Sequence, residues 1–473
     1  MKSVILTLKS LLILLLLASV ISCSEDKTTP IQDNNIPNYI GKGASEFDSK
    51  PVQEWMQVQL YLTQRNRGCT PMVAARFYGY TSLALYEAVC NGSVENRSLA
   101  GQLQGLSALP TTDKTKEYHW GLIAHSALSK ITERFYLNEY ALDTVRKLHK
   151  NLSDKWFNTY KSEVSQSIYD NSVAYGNLIA EKIWEYSKTD GQEFCWKDEN
   201  NYPDSYEPPT GNGKWVGARY FVRAMQPFWG NLRTFYPNNA IMTQPEPPNP
   251  YSEDRASIFF KEAIAVYTID TVINNEQAGG KVSDKNVIGQ YWNDEPYRTG
   301  TPAGHSVSVA RHLITKERFN LLKASETYAR VGMAIHDAFV SCWKAKYFYN
   351  TIRPITYLRA NVLGNFNPKI GTPPFPEYTS GHSTQTGAMA EVLTQIFGDN
   401  YSFVDSTHHI ARFDLPDVVV LPRTFNSIYA TAEECSISRF YGGIHFMQAL
   451  TEGVRCGKMA GNNVMKLKMK KNA

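Results

Sequence analysis

The stretch PPFPEYTSGHSTQTGAMAEVLTQIFG, residues 373–398, decides the fold of the region around it. Its first half is stiff and extended, because three prolines within four residues restrict φ and remove backbone donors. Apolar residues at helical spacing follow, and Gly398 provides a C-terminal stop. Ser380, Gly381 and His382 therefore lie at a helix N-terminus, where free N–H groups and the positive dipole end favour an anion.

Helical patterns dominate the rest of the chain, which has no strong run of alternating strand residues. The sequence therefore predicts an all-α fold. Helices are expected at residues 71–89, 117–148, 154–188, 254–274, 304–316 and about 325–349. Residues 189–252 are rich in Pro, Gly, Trp and Tyr, which predicts a long irregular segment ordered by aromatic packing.

Composition narrows the class of protein. The 473 residues are 42% apolar and 12% aromatic, which is enough for a large core, and the net charge is only +4. No basic run is long enough to predict nucleic-acid binding. Six cysteines besides Cys23 form no CxxC pair, so we expect buried free thiols rather than a zinc site. These are Cys69, Cys90, Cys195, Cys342, Cys435 and Cys456.

The N-terminus has the pattern of an export signal. Lys2 and Lys9 precede an apolar run at residues 11–21, which is short for a membrane span and typical of a secretory signal. The run ends at Cys23 in a context that resembles a bacterial lipobox, so we expect lipidation there. Ser24 favours sorting to the outer membrane, facing the periplasm or the surface. The alternative is an ordinary signal peptide that contains a cysteine.

The chain divides into four predicted segments. Residues 1–23 form the signal, and residues 24–45, polar and rich in turn formers, form a flexible tether. Residues 46–290 form an N-terminal helical part that includes the irregular segment. Residues 291–468 form the part that carries the chemical motifs.

The second motif lies where a helix ends in KYFYNTIRP, residues 346–354. Phe339, Trp343 and Lys346 fall on one face of that helix, and Arg353 follows seven residues after Lys346. By itself such a Lys–Arg pair is more typical of a solvated helix end than of a site.

The third motif is SRFYGGIH, residues 438–445, which supplies Arg439, a glycine-rich turn and His445. In the helix after it, small residues recur every four positions, which predicts close packing against another helix. These small residues are Ala449, Gly453, Gly457 and Gly461.

Together the three motifs supply three cations, two neutral donors and two histidines, a set that fits one tetrahedral or trigonal-bipyramidal oxyanion. The cations are Lys346, Arg353 and Arg439, the donors Ser380 and the Gly381 amide, and the histidines His382 and His445. Three buried positive charges would be costly to assemble without such an anion.

The order KxxxxxxRP, SGH, SRxxxGxH resembles the signature of the type 2 phosphatidic acid phosphatase and vanadium haloperoxidase superfamily. The likeness is greatest to vanadium chloroperoxidase and its bacterial relatives, and it is strong from about Tyr291 to Gly461. The resemblance implies two packed helical bundles, with the site in the second. The N-terminal helices match only in general character.

The resemblance also implies roles for the motif residues. Lys346, Arg353, Arg439, Ser380 and Gly381 would bind the oxyanion. His382 would act as the acid–base group, and His445 would ligate vanadium or attack phosphorus. Trp343 and Phe375 match aromatic positions beside the vanadate. Asp294 is similar to the acidic residue that pairs with the second-half arginine, with its spacing off by one.

Two positions depart from the family pattern. Thr379 replaces a proline before SGH, at small cost because Pro376 still stiffens the approach. Ala449 replaces an aspartate that would orient the nucleophilic imidazole of a phosphatase, which weakens the phosphatase interpretation. Glu452 is a possible substitute.

The remaining histidines are expected to be packed or exposed at the surface rather than ligands. His408 and His409 are adjacent, so in a helix or strand they cannot both face one metal. His305 and His312 flank a helix near Asp294, and His336 lies on the helix that leads to Lys346.

Three functions remain open from the sequence. The first is a haloperoxidase with vanadate as cofactor and hydrogen peroxide and halide as substrates. The second is a phosphatase without a cofactor, which hydrolyses a phosphate ester through His445. The third is a non-catalytic envelope lipoprotein that keeps the oxyanion pocket. Trp343, Phe375 and Ala449 favour the first, and the complete set of site residues disfavours the third.

Overall fold

The structure, a computed structural model, describes residues 39–216, 223–408 and 421–471. Most of these residues lie in long helices. The predicted signal segment with Cys23, and His409, lie outside the described residues. The end of the predicted tether is among the described residues and is packed against the folded part. Ala44 is fully buried, and Tyr39 packs edge-on against Trp120. The folded region therefore begins some residues before the predicted start at 46.

Fifteen α-helices and two short strands lie within the described residues. The first eight helices are α1 (Lys50–Gln64), α2 (Pro71–Val89), α3 (Trp120–Tyr136), α4 (Asp143–Glu163), α5 (Gln166–Lys188), α6 (Asp198–Asn201), α7 (Asn239–Met242) and α8 (Ile258–Ala278). The other seven are α9 (Asp284–Tyr291), α10 (Thr301–Lys316), α11 (Leu321–Tyr349), α12 (Pro354–Asn361), α13 (Gly381–Phe397), α14 (Ile428–Tyr441) and α15 (Met447–Met465). Short 3-10 turns occur at Ala44–Glu46, Cys90–Gly92 and Trp229–Asn231.

The predicted all-α class is confirmed, and the sheet is minimal. Strand β1 (Phe403–Asp405) pairs antiparallel with β2 (Arg423–Phe425). No helix among residues 39–216, 223–408 and 421–471 is both long and apolar enough to cross a membrane. The six predicted thiols are buried and free.

Two predicted helix boundaries are wrong. The segments 117–148 and 154–188 contain three helices rather than two, because the chain leaves the helical conformation twice. The first break separates α3 from α4. At the second, Val164 is extended, and Ser165 caps α5 by accepting a hydrogen bond from the Ile168 N–H. The capping serine marks the second break in the sequence.

The irregular segment between α5 and α8 agrees with the prediction over its described residues. It contains only short helical turns, and three tryptophans inside it are buried: Trp196, Trp215 and Trp229. One of its backbone groups reaches the site region: the Met225 carbonyl accepts hydrogen bonds from Trp343 Nε1 and Tyr347 Oη. The segment therefore forms part of the wall around the candidate site.

Helix α11 lies at the centre and packs against α2, α13 and α15. Helices α13 and α15 approach each other closely, as the stripe of small residues predicts. A Cβ atom at Gly457 would lie 2.0 Å from Thr384 O, and one at Gly461 would lie 2.6 Å from Ala388 O. This contact fixes the N-terminus of α13 next to the turn that precedes α15, and both ends carry motif residues.

Candidate active site

The three motifs meet at one pocket. Lys346 lies in the last turn of α11, Arg353 is the residue immediately before α12, and Ser380 caps α13. Arg439 lies in the last turn of α14, and His445 lies in the turn before α15. The fold thus collects residues that are far apart in sequence at the ends of five helices, where side chains and free backbone groups converge.

Local sequence explains why the helices end there. Helix α11 ends at Tyr349, the next residue Asn350 adopts a left-handed conformation with φ 54°, and Pro354 then begins α12. Helix α13 begins at Ser380, whose Oγ accepts a hydrogen bond from the Ser383 N–H at 3.3 Å. A Cβ atom at Gly381 would lie 3.3 Å from the Trp343 ring, so a larger residue would crowd the pocket wall.

The three cations are buried, and backbone oxygens hold them. Lys346 Nζ donates to Pro376 O and Glu377 O at 3.0 and 2.9 Å. Arg353 donates from Nε to Phe375 O and from Nη1 to Ile444 O. Arg439 donates from Nε to Ser438 Oγ and from Nη2 to Gly289 O. These contacts fix the directions of the side chains without neutralising them.

Burial shifts the pKa of each cation downwards. The pKa of Lys346 falls to about 7, and those of Arg353 and Arg439 fall to about 10, in each case because burial penalises the charged form. Within the described part of the chain, none of the three forms an ion pair with a carboxylate. Such a cluster needs an anion to offset its desolvation.

An aromatic wall lies against the cations. The Phe375 ring centre is 5.0 Å from Lys346 Nζ and 5.0 Å from Arg353 Cζ. Trp343 packs at 4.9 Å from Phe375 and at 5.6 Å from Phe339. The faces of these rings offset part of the cost of burying the charges, and they exclude water from one side of the pocket.

The two ring nitrogens of His445 have different surroundings. Nδ1 lies 2.7 Å from Glu377 Oε1, and Nε2 lies 3.2 Å from Arg353 Nη1. Because a guanidinium only donates hydrogen bonds, Nε2 carries the lone pair and Nδ1 carries the proton. Burial, Arg353 and Lys346 hold the pKa of His445 well below its ordinary value, so the ring is neutral.

His382 lies on the pocket wall at the start of α13. Burial and the charge of Arg439 hold the pKa of its imidazole well below the ordinary value, which favours the neutral base. Two buried nitrogens in this region have no hydrogen-bond partner among the described residues: His382 Nε2 and Arg353 Nη2. Uncommitted polar atoms of this kind are what a bound oxyanion would satisfy.

The pocket has an empty volume of about 640 Å³ including its mouth. Five predicted site residues and the aromatic pair line it: Asp294, Gly381, His382, Arg439, His445, Trp343 and Phe375. Lys346 and Arg353 lie behind Phe375, and Ser380 is fully buried beside Gly381. Donors, cations and the His445 lone pair together fit vanadate or phosphate.

Asp294 lies in the pocket wall, as predicted, but its ionic partners are not those expected. Its Oδ2 lies 2.9 Å from His305 Nδ1, and its Oδ1 lies 3.3 Å from His408 Nε2. The second nitrogen of His305 lies 2.7 Å from Asp405 Oδ2. Asp294 therefore pairs with histidines rather than with Arg439, because α10 brings His305 between the two carboxylates.

This buried cluster was missed in the sequence, where His305 and His408 are assigned no more than packing roles. Asp294, His305 and His408 are close enough for one metal ion, although the short carboxylate distances also suit a protonated imidazole. Burial opposes the charge, but Asp294 and Asp405 raise the pKa of His305 to about 10. His336 agrees with its prediction, since it packs among Phe235 and other rings.

Glu377 is the other functional residue that the sequence did not reveal. In the sequence Glu377 is only one residue of the stiff segment before SGH, and Glu452 is the predicted carboxylate substitute behind His445. In the structure Glu452 instead pairs with Arg455 and accepts a hydrogen bond from the Glu246 N–H. The available signal was an acidic residue in an apolar, proline-rich segment, which must be buried with a partner.

Comparisons with known proteins agree with this geometry. Residues 326–472 match the family model of the second helical-bundle domain of vanadium chloroperoxidase. The structure of a bacterial vanadium-dependent iodoperoxidase is similar over 91% of this chain and 98% of that chain, with 30% identity and a TM-score of 0.78. The structure of the holo form of a bacterial vanadium-dependent chloroperoxidase is similar over 85% of this chain and 93% of that chain, with 14% identity and a TM-score of 0.59.

The structure of the apo form of a bacterial vanadium-dependent chloroperoxidase is similar over 85% of this chain and 95% of that chain, with 15% identity and a TM-score of 0.58. At such low identity the chloroperoxidases support the fold alone. No curated protein matches the sequence.

Proposed function

The chain belongs to the vanadium-dependent haloperoxidases, and on that premise we propose that it oxidises halide with hydrogen peroxide at a vanadate held in the pocket below α11 and α13. The observation that carries the proposal is the group of three buried cations beside the lone pair of His445 Nε2, which have no carboxylate partner among residues 39–216, 223–408 and 421–471. Because the most similar structure named above is an iodoperoxidase, iodide is the halide we propose first.

The oxyanion would be held by charge and by direction. Lys346 and the two arginines supply positive charge, and Ser380 Oγ with the Gly381 amide supplies neutral donors at the positive end of α13. His445 Nε2 would be the protein ligand of the central atom. Bound vanadate supplies a Lewis acid that polarises peroxide. Phosphate has the same shape and charge, so the binding residues alone do not distinguish the two oxyanions.

His382 is the proposed proton carrier. Oxidation of halide by peroxide consumes one proton and releases hypohalous acid and water. A neutral imidazole in the pocket wall accepts a proton from incoming peroxide at Nε2, the nitrogen without a partner among the described residues. It can return that proton to the leaving oxygen. The aromatic wall keeps competing water from one side of the reacting centre.

The phosphatase alternative is disfavoured by the family relationship, although the structure removes one argument against it. Ala449 weakened that alternative because a phosphatase needs a carboxylate behind its nucleophilic imidazole. Glu377 Oε1 supplies such a carboxylate at 2.7 Å from His445 Nδ1. Ala449 therefore does not discriminate between the two reactions, and the assay must.

The deciding experiment is an assay of purified protein with and without one equivalent of vanadate. We expect peroxide-dependent oxidation of iodide only after vanadate is added, with bromide and chloride oxidised more slowly or not at all. Phosphate in excess should inhibit by competition for the cations. Release of phosphate from a phenyl phosphate ester, with no halide oxidation in either state, would overturn the proposal.

We also propose that the protein is an exported lipoprotein anchored in the cell envelope. The support is the lipobox-like context of Cys23 after a short apolar run, followed by a polar stretch. The oxidant would then be formed outside the cytoplasm, which removes a reactive product from the cell interior.

A further inference from the structure

The carboxylate behind His445 comes from an unexpected part of the chain. Glu377 lies in the extended segment before SGH, four residues after the first proline of that segment. Its Oε1 accepts two hydrogen bonds, from His445 Nδ1 at 2.7 Å and from the Phe446 N–H at 3.0 Å. Glu377 and His445 are both buried, so water does not compete for this pair.

The backbone holds Glu377 firmly in this position. Its N–H donates to Thr351 O at 3.0 Å, and its carbonyl accepts a hydrogen bond from Lys346 Nζ at 2.9 Å. The next residue, Tyr378, donates from its N–H to Thr351 Oγ1 at 2.9 Å. One residue thus contacts a cation through its backbone and His445 through its side chain.

Position 449, where the family resemblance leads us to expect an aspartate, lies in the same space. Ala449 is fully buried, and Ala449 and Glu377 both line a small cavity with an empty volume of about 240 Å³. The Ala449 carbonyl accepts a hydrogen bond from the Ser380 N–H at 3.1 Å, so α15 is fixed relative to α13 at this point. An aspartate at position 449 would therefore share this cavity with Glu377, whose carboxylate contacts His445 Nδ1.

We propose that Glu377, in the stretch 373–398, is the positioning residue of His445 and takes the place of a carboxylate at position 449, where this chain has alanine. Its carboxylate holds the proton of His445 on Nδ1 and fixes the plane of the ring. The lone pair of Nε2 then points to the oxyanion. This inference rests on the proposed function, since it assumes that His445 ligates the central atom.

The test is a swap of the carboxylate, read by vanadate affinity rather than by turnover. Calorimetry with orthovanadate, without peroxide or halide, would compare wild type with Glu377→Ala, Glu377→Gln and the double variant Glu377→Ala/Ala449→Asp. Loss of an outer-shell partner weakens metal affinity by about 10- to 100-fold, so we expect Glu377→Ala to lose that much. The double variant should recover most of the loss. Glu377→Gln keeps the shape of the side chain and should lie between wild type and Glu377→Ala.

A matched control removes a carboxylate that does not touch His445. Glu452→Gln alters the Arg455 pair on the same helix as Ala449, and it should leave the vanadate affinity unchanged. ¹⁵N NMR of the His445 ring gives a second readout, because the proton should stay on Nδ1 in wild type and in the double variant. In Glu377→Ala the two tautomers should mix. Thermal unfolding identifies any variant that does not fold. If Glu377→Ala does not fold, the vanadate affinity of Glu377→Gln is compared with that of wild type instead.

The outcomes separate the two proposals. Wild type that binds no vanadate overturns the proposed function itself. If wild type binds vanadate and Glu377→Ala binds it with equal affinity and keeps the same His445 tautomer, only the proposed role of Glu377 is overturned. A double variant no better than folded Glu377→Ala overturns the equivalence of the two carboxylate positions.

Discussion

His305 Nε2 lies 2.7 Å from Asp405 Oδ2, in a buried contact that joins α10 to the short strand β1. Asp294 lies on the other nitrogen of the same ring, so one imidazole bridges two carboxylates beside the pocket. Such a bridge stabilises the fold only while the ring carries its proton.

The bridge predicts a pH-dependent stability. The pKa of His305 rises from the ordinary 6.5 to about 10, so its contribution is complete below pH 6.5 and is lost as the pH rises towards 10. His305→Gln should cost roughly 3–5 kcal/mol at pH 6.5, the usual cost of breaking a buried pair. The difference in melting temperature from wild type should narrow as the pH approaches 10.

His312→Gln is the matched control for this prediction. Burial lowers the pKa of His312 to about 4, so it is neutral throughout the range from pH 6.5 to 10. Its stability difference from wild type should be independent of pH there. A constant difference for His305→Gln as well would mean that His305 is not charged in the folded protein.

The two site histidines should fail in different ways when replaced. His445→Ala should lose bound vanadate, because it removes the proposed ligand atom, while the protein stays folded. His382→Ala should still bind vanadate but lose turnover by about 10²- to 10⁴-fold, the usual contribution of a general acid–base group. Calorimetry and iodide oxidation on both variants check this. The opposite pattern would show that the two roles are reversed.

Arg439→Lys should weaken the binding of the oxyanion even though the positive charge is kept. The guanidinium donates to Ser438 Oγ and Gly289 O, and a lysine ammonium cannot keep both contacts and still reach the anion. We expect a loss of about 1–3 kcal/mol in the vanadate binding free energy by calorimetry. Arg330→Lys, at a guanidinium that pairs with Glu326 in the N-terminal half of α11, is the control. Equal affinities for wild type and Arg439→Lys would remove Arg439 from the site.

Gly457→Ala should destabilise the contact between α13 and α15. The new Cβ atom would lie 2.0 Å from Thr384 O, so the helices must separate, at a cost of about 1–3 kcal/mol or more. Chemical denaturation measures this cost. Gly364→Ala is the control, since no atom lies within 4 Å of its added Cβ. Equal stabilities of the two variants would contradict the packing described here.

Lipidation at Cys23 is tested by metabolic labelling. A fatty-acid analogue should label wild type in the bacterial envelope fraction and should not label Cys23→Ala, because the thiol is the expected acceptor. Equal labelling of the two proteins would exclude Cys23 as the anchor.

By itself the sequence determined the helical class and the three motifs, and it predicted a candidate oxyanion-binding set. Those features are local: a cap at Ser380, a stop at Gly398 and a stripe of small residues each follow from a few neighbouring residues. The family resemblance then added roles that spacing alone does not give.

Only the tertiary structure decided which carboxylates serve which histidines. Glu377 and His445 are 68 residues apart, and His305 and Asp405 are 100 residues apart, so no periodicity relates them. Their contacts depend on how α10, β1 and the chain segments that precede α13 and α15 pack against one another. A buried charge must find a partner, but the sequence does not specify which one, because that choice is made by packing at a distance.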